Sequence, residues 1–159
     1  MSIVSIEDAR AHCRVDSDYP SEQLQPYIDG AVGAAAAYLN RYLYADDDAL
    51  IAAQDGVADA IGSASEAYAD AKAAAAALSN ADAADAALEV AESRWHAAKV
   101  DAARTTHGMV ASAVIVAAIK LTIGSLYENR SDTVVGLPAS ALPTDAAALL
   151  RPHRRVMMP

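Results

Sequence analysis

The stretch ADAADAALEVAESRWHAAKVDA, residues 81–102, repeats small or apolar side chains at Ala81, Ala84, Leu88, Ala91, Trp95, Ala98 and Ala102. Those positions step by three and four, which is the spacing of one helix face. A heptad seam this rich in alanine suits two antiparallel helices lying unusually close. Upstream, residues 49–78 are mostly alanine, with Leu50, Val57, Ile61, Tyr68 and Leu78 as the larger apolar side chains. Ser79-Asn80 punctuates the two stretches, and Asp82 places negative charge in the first turn of the second, where the helix dipole favours it. Residues 46–104 therefore predict a long inserted antiparallel hairpin, with arms of about 45 Å and about 35 Å. Gly56 and Gly62 weaken its first arm by about 1 kcal/mol each relative to alanine. A flexible low-complexity linker is the competing reading; helix propensity and the phased seam favour the hairpin.

Working outward, the flanks also read as helices, so the fold class is all-α. Ser5 followed by Asp8 is a capping-box-like start, with Val4 placed to staple the first turn. Ile6, Ala9 and Cys13 share one face of a short helix over 6–13. Asp16-Ser-Asp-Tyr-Pro20 is a turn, and Asp18 or Ser17 can cap the second helix, with Pro20 in its first turn. Leu24, Ile28, Ala31, Ala35, Tyr38 or Leu39, and Tyr42 then recur at helical steps. Pro26 either kinks this helix or begins it near Gln25. Asp46-Asp47-Asp48 closes it and can cap the next. Residues 108–127 form an apolar helix, 131–143 a loop with Gly136, Pro138 and Pro143, and Thr144 caps a last helix that Pro152 stops near Leu150. The domains expected are a discontinuous core, 1–45 plus 105–159, the insertion 46–104, and a basic tail, 151–159.

Charge narrows the function classes. The chain carries −9, and residues 46–104 hold twelve acidic and four basic side chains against nine and eight in the flanks. Gripping DNA phosphates requires a basic face, which this distribution lacks. The apolar stretch 108–127 reaches the length of a membrane span, but Lys120, Ser112, Thr122, Gly124 and Ser125 and the absence of a basic flank favour a buried central helix. Met1-Ser-Ile-Val-Ser-Ile-Glu-Asp8 has neither a basic start nor an apolar run, so no secretory signal is expected. Cys13 is the one cysteine. It excludes an internal disulfide and reads as a small buried hydrophobe.

No constellation for catalysis or cofactor binding stands out. His12, His96, His107 and His153 fall on four different elements without metal-ligand spacing. No phosphate loop, nucleophile elbow or Cys–His pair is present. Neither enzyme activity nor a cofactor is expected.

Without the block, the flanks read in order Ser5-Ile-Glu-Asp-Ala-Arg10, Arg14-Val15-Asp16, Tyr38-Leu-Asn-Arg-Tyr-Leu43, Tyr127-Glu-Asn-Arg130, Leu137-Pro138 and Asp145-Ala-Ala-Ala-Leu-Leu-Arg-Pro-His-Arg-Arg155. That ordered set resembles the head–tail connector (adaptor) proteins of tailed bacteriophages. The resemblance implies a small helical connector domain in the virion, assembled in the host cytoplasm. About a dozen copies would form a closed ring below the portal protein, extend the DNA channel, and offer the attachment site for a stopper or tail-completion protein. DNA would pass through without specific binding. The inserted block departs from compact members of that family. A generic soluble helical interaction or regulatory module is the alternative that composition alone permits.

Two segments are candidate contacts. The tail, with Arg151, His153, Arg154, Arg155, Val156, Met157 and Met158, reads either as a frayed terminus or as a peptide docking on the portal; nothing in the sequence holds it on its own domain. Glu128 and Arg130 close the apolar helix, either as a local ion pair or cap, or as an intersubunit salt bridge.

Overall fold

The computed structural model describes residues 2–16, 18–128 and 144–156 and is all-α with one minimal strand pair. The chain divides into two compact units, Met1–Asp47 with Met109–Pro159, and Asp48–Gly108.

The first unit contains α1 (Ile6–Cys13), α2 (Ser21–Leu39), β1 (Leu43–Tyr44), β2 (Met109–Val110), α6 (Ala113–Glu128), α7 (Thr144–Leu150) and a 3-10 turn, Arg151–His153. Ser5 caps α1 by accepting the Asp8 backbone N–H at 3.0 Å, and its hydroxyl donates back to the Asp8 carboxylate at 3.0 Å. Arg14 ends α1 in the left-handed region at φ 54°. Pro20 precedes α2 with no side-chain cap; the expected Asp18 cap does not form, and Ser17 lies outside the described residues. Gln23 N–H instead donates to the Pro20 carbonyl at 3.1 Å. The late start is ruled out: α2 begins at Ser21 and carries Pro26 inside it. Pro26 is the sixth residue of the helix, past its first turn, so its missing N–H removes the bond that would run to the Glu22 carbonyl.

The buried face of α2 is Leu24, Ile28, Ala31, Ala35 and Leu39. It meets Ile115, Ala118, Ile119 and Ile123 of α6, with Val4, Ala9, Ala146 and Leu150 closing the core. Ala31, Ala35 and Ala118 let the backbones of α2 and α6 approach, while the isoleucines and leucines supply the apolar area. Thr122 is buried on α6 but satisfied, its hydroxyl donating to the Ala118 carbonyl at 3.0 Å. The expected loop 131–143 lies outside the described residues.

The strand pair has no periodic signal in the sequence. β1 and β2 run parallel, with Leu43 opposite Met109 and Tyr44 opposite Val110. Met109 N–H donates to the Tyr42 carbonyl at 3.0 Å and Ala111 N–H to Tyr44 at 2.9 Å. The chain thus leaves for the second unit and returns from it through neighbouring backbone.

The second unit holds α3 (Asp47–Asp55), α4 (Val57–Ala76) and α5 (Ala81–Thr106). Helices α4 and α5 pack along one another in antiparallel sense, with Tyr68 beside Trp95. Gly56 separates α3 from α4, whereas Gly62 leaves α4 continuous. Asn80 caps α5 by accepting the Ala83 N–H at 2.9 Å. Of the seam positions, Ala84, Leu88, Ala91, Trp95, Ala98 and Ala102 are partly or fully buried while Ala81 is exposed, and on α4 the partly or fully buried positions are Val57, Ile61, Ala64, Tyr68, Ala71 and Ala75. α5 continues to Thr106, whose carbonyl accepts from the Gln54 side chain at 3.0 Å.

Candidate partner-contact surface

The C-terminal segment turns back onto the end of α2. Asn40 terminates that helix in the left-handed region at φ 57°, a conformation asparagine tolerates better than most residues. A helix end leaves carbonyls without intrahelical partners. One of them, on Leu39, accepts the Arg155 backbone N–H at 3.0 Å. The Asn40 side-chain amide lies 3.5 Å from the Arg155 carbonyl, at the outer limit for a hydrogen bond. The Arg154 guanidinium sits 5.2 Å from the Tyr38 ring centroid, within cation–π range.

The expectation that nothing holds residues 151–155 on their own domain is therefore corrected. The holding groups are Leu39, Asn40 and Tyr38, more than a hundred positions away in sequence. Arg151, Arg154 and Val156 are exposed, Val156 at 78%. His153 is partly buried in the 3-10 turn. Met157 and Met158 lie outside the described residues. The result is a small surface on which two arginines and one valine face outward from a fixed base.

Glu128 is exposed at the last residue of α6, and Arg130 lies outside the described residues, so their pairing is not placed. Glu128 does act on Cys13: burial first, and then the Glu128 charge, push the Cys13 thiol up from its ordinary value. At neutral pH that thiol stays protonated and is a poor nucleophile.

The Lys120 ammonium meets the Asp8 carboxylate at 2.8 Å and ties α6 to α1. The hydrogen bond from Lys120, helped by the Ser5 hydroxyl, holds the Asp8 carboxyl below its ordinary value. One helical turn further on, Gly124 lets His12 lie against α6. The charge in the apolar stretch thus serves helix packing. No helix among the described residues is long and apolar enough to cross a membrane. Among the described residues no three His, Cys, Asp or Glu side chains group to hold a metal ion.

These features describe a helical domain that offers contact surfaces. The family of phage gp6-like head-tail connector proteins matches residues 3–154. The chain belongs to that family, and is a structural protein of the phage head–tail connection. No curated protein and no solved structure matches it. Family membership implies self-assembly and contact with portal and tail proteins in general terms. Tyr38 and Asn40, which hold Arg154 and Arg155, are residues that the sequence reading missed. The one signal for them was an asparagine directly after the last apolar position of α2, a left-handed helix terminus in need of a partner.

Proposed function

We propose that the protein is the ring-forming adaptor below the portal. About a dozen copies would close into a ring that continues the DNA channel and receives a stopper or tail-completion protein. The observation that carries this reading is the family match, which spans both flanks and the intervening block. In this reading Arg151, His153, Arg154, Arg155, Val156, Met157 and Met158 face the portal. The held segment supports it, since a contact element fixed in advance pays less ordering entropy on binding than a free tail. Glu128 and Arg130 would pair across the subunit boundary. The net charge of −9 lets DNA pass without being gripped.

Native mass measurement with and without portal protein tests the proposal. A portal-dependent shift to a closed multiple near a dozen copies is the expected result. A chain that stays monomeric on portal-bearing heads would overturn it. A Glu128→Arg variant should lose ring formation and regain it when combined with Arg130→Glu.

A further inference from the structure

In the second unit Tyr68 of α4 and Trp95 of α5 stack, with ring centroids 6.0 Å apart and planes 15° from parallel. Lys99, one turn beyond Trp95, places its ammonium 5.4 Å from the centre of the indole ring. Glu89, Glu92 and His96 complete a shallow concavity around the pair. Both rings keep part of their surface in solvent, in arms whose other seam residues are mostly alanine.

We propose that this ledge is a docking site for an arginine-bearing segment of a partner protein. Three features converge on that ligand. A half-exposed aromatic stack attracts cations through its ring faces. Glu89 and Glu92 lie one turn apart at its border and can accept charge-assisted hydrogen bonds. Residues 46–104 carry twelve acidic against four basic side chains, so the complementary partner is basic and a nucleic acid is repelled. Arginine fits better than lysine, because guanidinium is planar, stacks on rings and is weakly hydrated. Lys99 marks where a cation rests on the indole. Its compact, strongly hydrated ammonium is the weaker tenant and gives way to a stacked guanidinium. The ledge uses none of the residues assigned to the portal contact, and the inference stands without that reading.

The full chain is titrated with tetra-arginine peptide at about 0.15 M salt, where diffuse attraction is largely screened. Emission from Trp95, the one tryptophan, reports binding directly. A saturable change is expected, weakened about tenfold or more by Glu89→Gln with Glu92→Gln. The pair Asp82→Asn and Asp85→Asn removes equal charge near the start of α5 and should leave affinity within about twofold. Lys99→Ala should tighten binding more than Lys72→Ala, which makes the same charge change on α4. Absence of a saturable signal, equal losses from both carboxylate pairs, or weaker binding by Lys99→Ala would each overturn the assignment. Self-association without peptide, abolished by the Glu89 and Glu92 substitutions, would place a second copy on the ledge and also overturn it.

Discussion

The backbone N–H of Arg155 donates to the carbonyl of Leu39 at 3.0 Å, joining the last described turn of the chain to the end of its second helix. Leu39 is fully buried, so its carbonyl stands at the edge of the core with no continuing helix to use it. Arg155 supplies the missing donor, and Arg154 then settles over Tyr38. The same backbone contact that completes α2 thereby fixes the direction in which Arg151, Arg154 and Val156 point outward.

Truncation after Leu150 should therefore lower stability rather than leave it unchanged. One backbone hydrogen bond and one surface cation–π contact together are worth about 1–2 kcal/mol. For a chain of this length that is a fall of about 3–6 °C in Tm. Truncation after Arg155 keeps both contacts and should move Tm by less than about 1 °C. Thermal unfolding followed by circular dichroism separates the two. Equal melting of both truncated chains and the full chain would show that the clamp contributes nothing.

Much of the core was legible because its signals are local and repeated. The α2 stripe from Leu24 to Leu39, the Ser5 cap and the seam from Ala84 to Ala102 each depend on spacing within one element, whereas the expected continuation of α2 to Tyr42 is cut off where Asn40 turns left-handed. The clamp and the β1–β2 pair were not legible. Two-residue strands are too short to show alternation, and Leu39–Arg155 contact depends on how α2 and α7 meet around α6. Lys120 was visible as a charge in an apolar run, but its partner Asp8 lies on another helix. At the candidate surface, the basic cluster 151–155 was readable from composition. Its supports, Tyr38 and Asn40, required the tertiary arrangement.

Glycine substitutions probe the helices directly. A Cβ at Gly33 meets nothing within 4 Å, nor does one at Gly62. Alanine at either should stabilise by about 0.5–1 kcal/mol, through helix propensity and a less mobile unfolded chain. Gly124 differs, because a Cβ there meets His12 Nε2 at 3.3 Å. His12 is exposed and can swing aside, so Gly124→Ala should be close to neutral. Gly124→Leu cannot be absorbed in that way and should separate α1 from α6. Denaturant titration measures all four, and a destabilised Gly33→Ala protein would contradict the open space at that position.

The Asp8–Lys120 pair should leave a signature at the acid limb. The folded state holds the Asp8 carboxyl below its ordinary 3.8, so it binds this proton less readily than the unfolded state. The resulting stability is present in full above the ordinary value and is lost as pH falls through the lowered folded one. Asp8→Asn removes that dependence. The gap in Tm between the wild type and Asp8→Asn should therefore be constant near neutrality and close below about pH 3.8. A gap that persists unchanged to pH 2 would mean that the carboxylate charge is not what joins the helices.

Excision of the second unit should leave the first folded. Its core residues, from Val4 through Leu150, all lie outside residues 48–108, and the exit and return strands are already neighbours. The strands are parallel, however, so a connection from the end of β1 must return to the start of β2. That gap combines about 5 Å sideways with about 10 Å back along the strand. A tight turn cannot span it, but a Gly/Ser linker of about eight residues between Ala45 and Gly108 can. Closing a loop of that length costs less than closing a flexible connection as long as the present one, because the penalty grows with the logarithm of length. The expected product is a cooperative helical domain whose Tm lies within about 5 °C of that of the same unit in the full chain. Loss of cooperative unfolding, with the linker lengthened to about fifteen residues as a control for strain, would show that the first unit depends on the second for its fold.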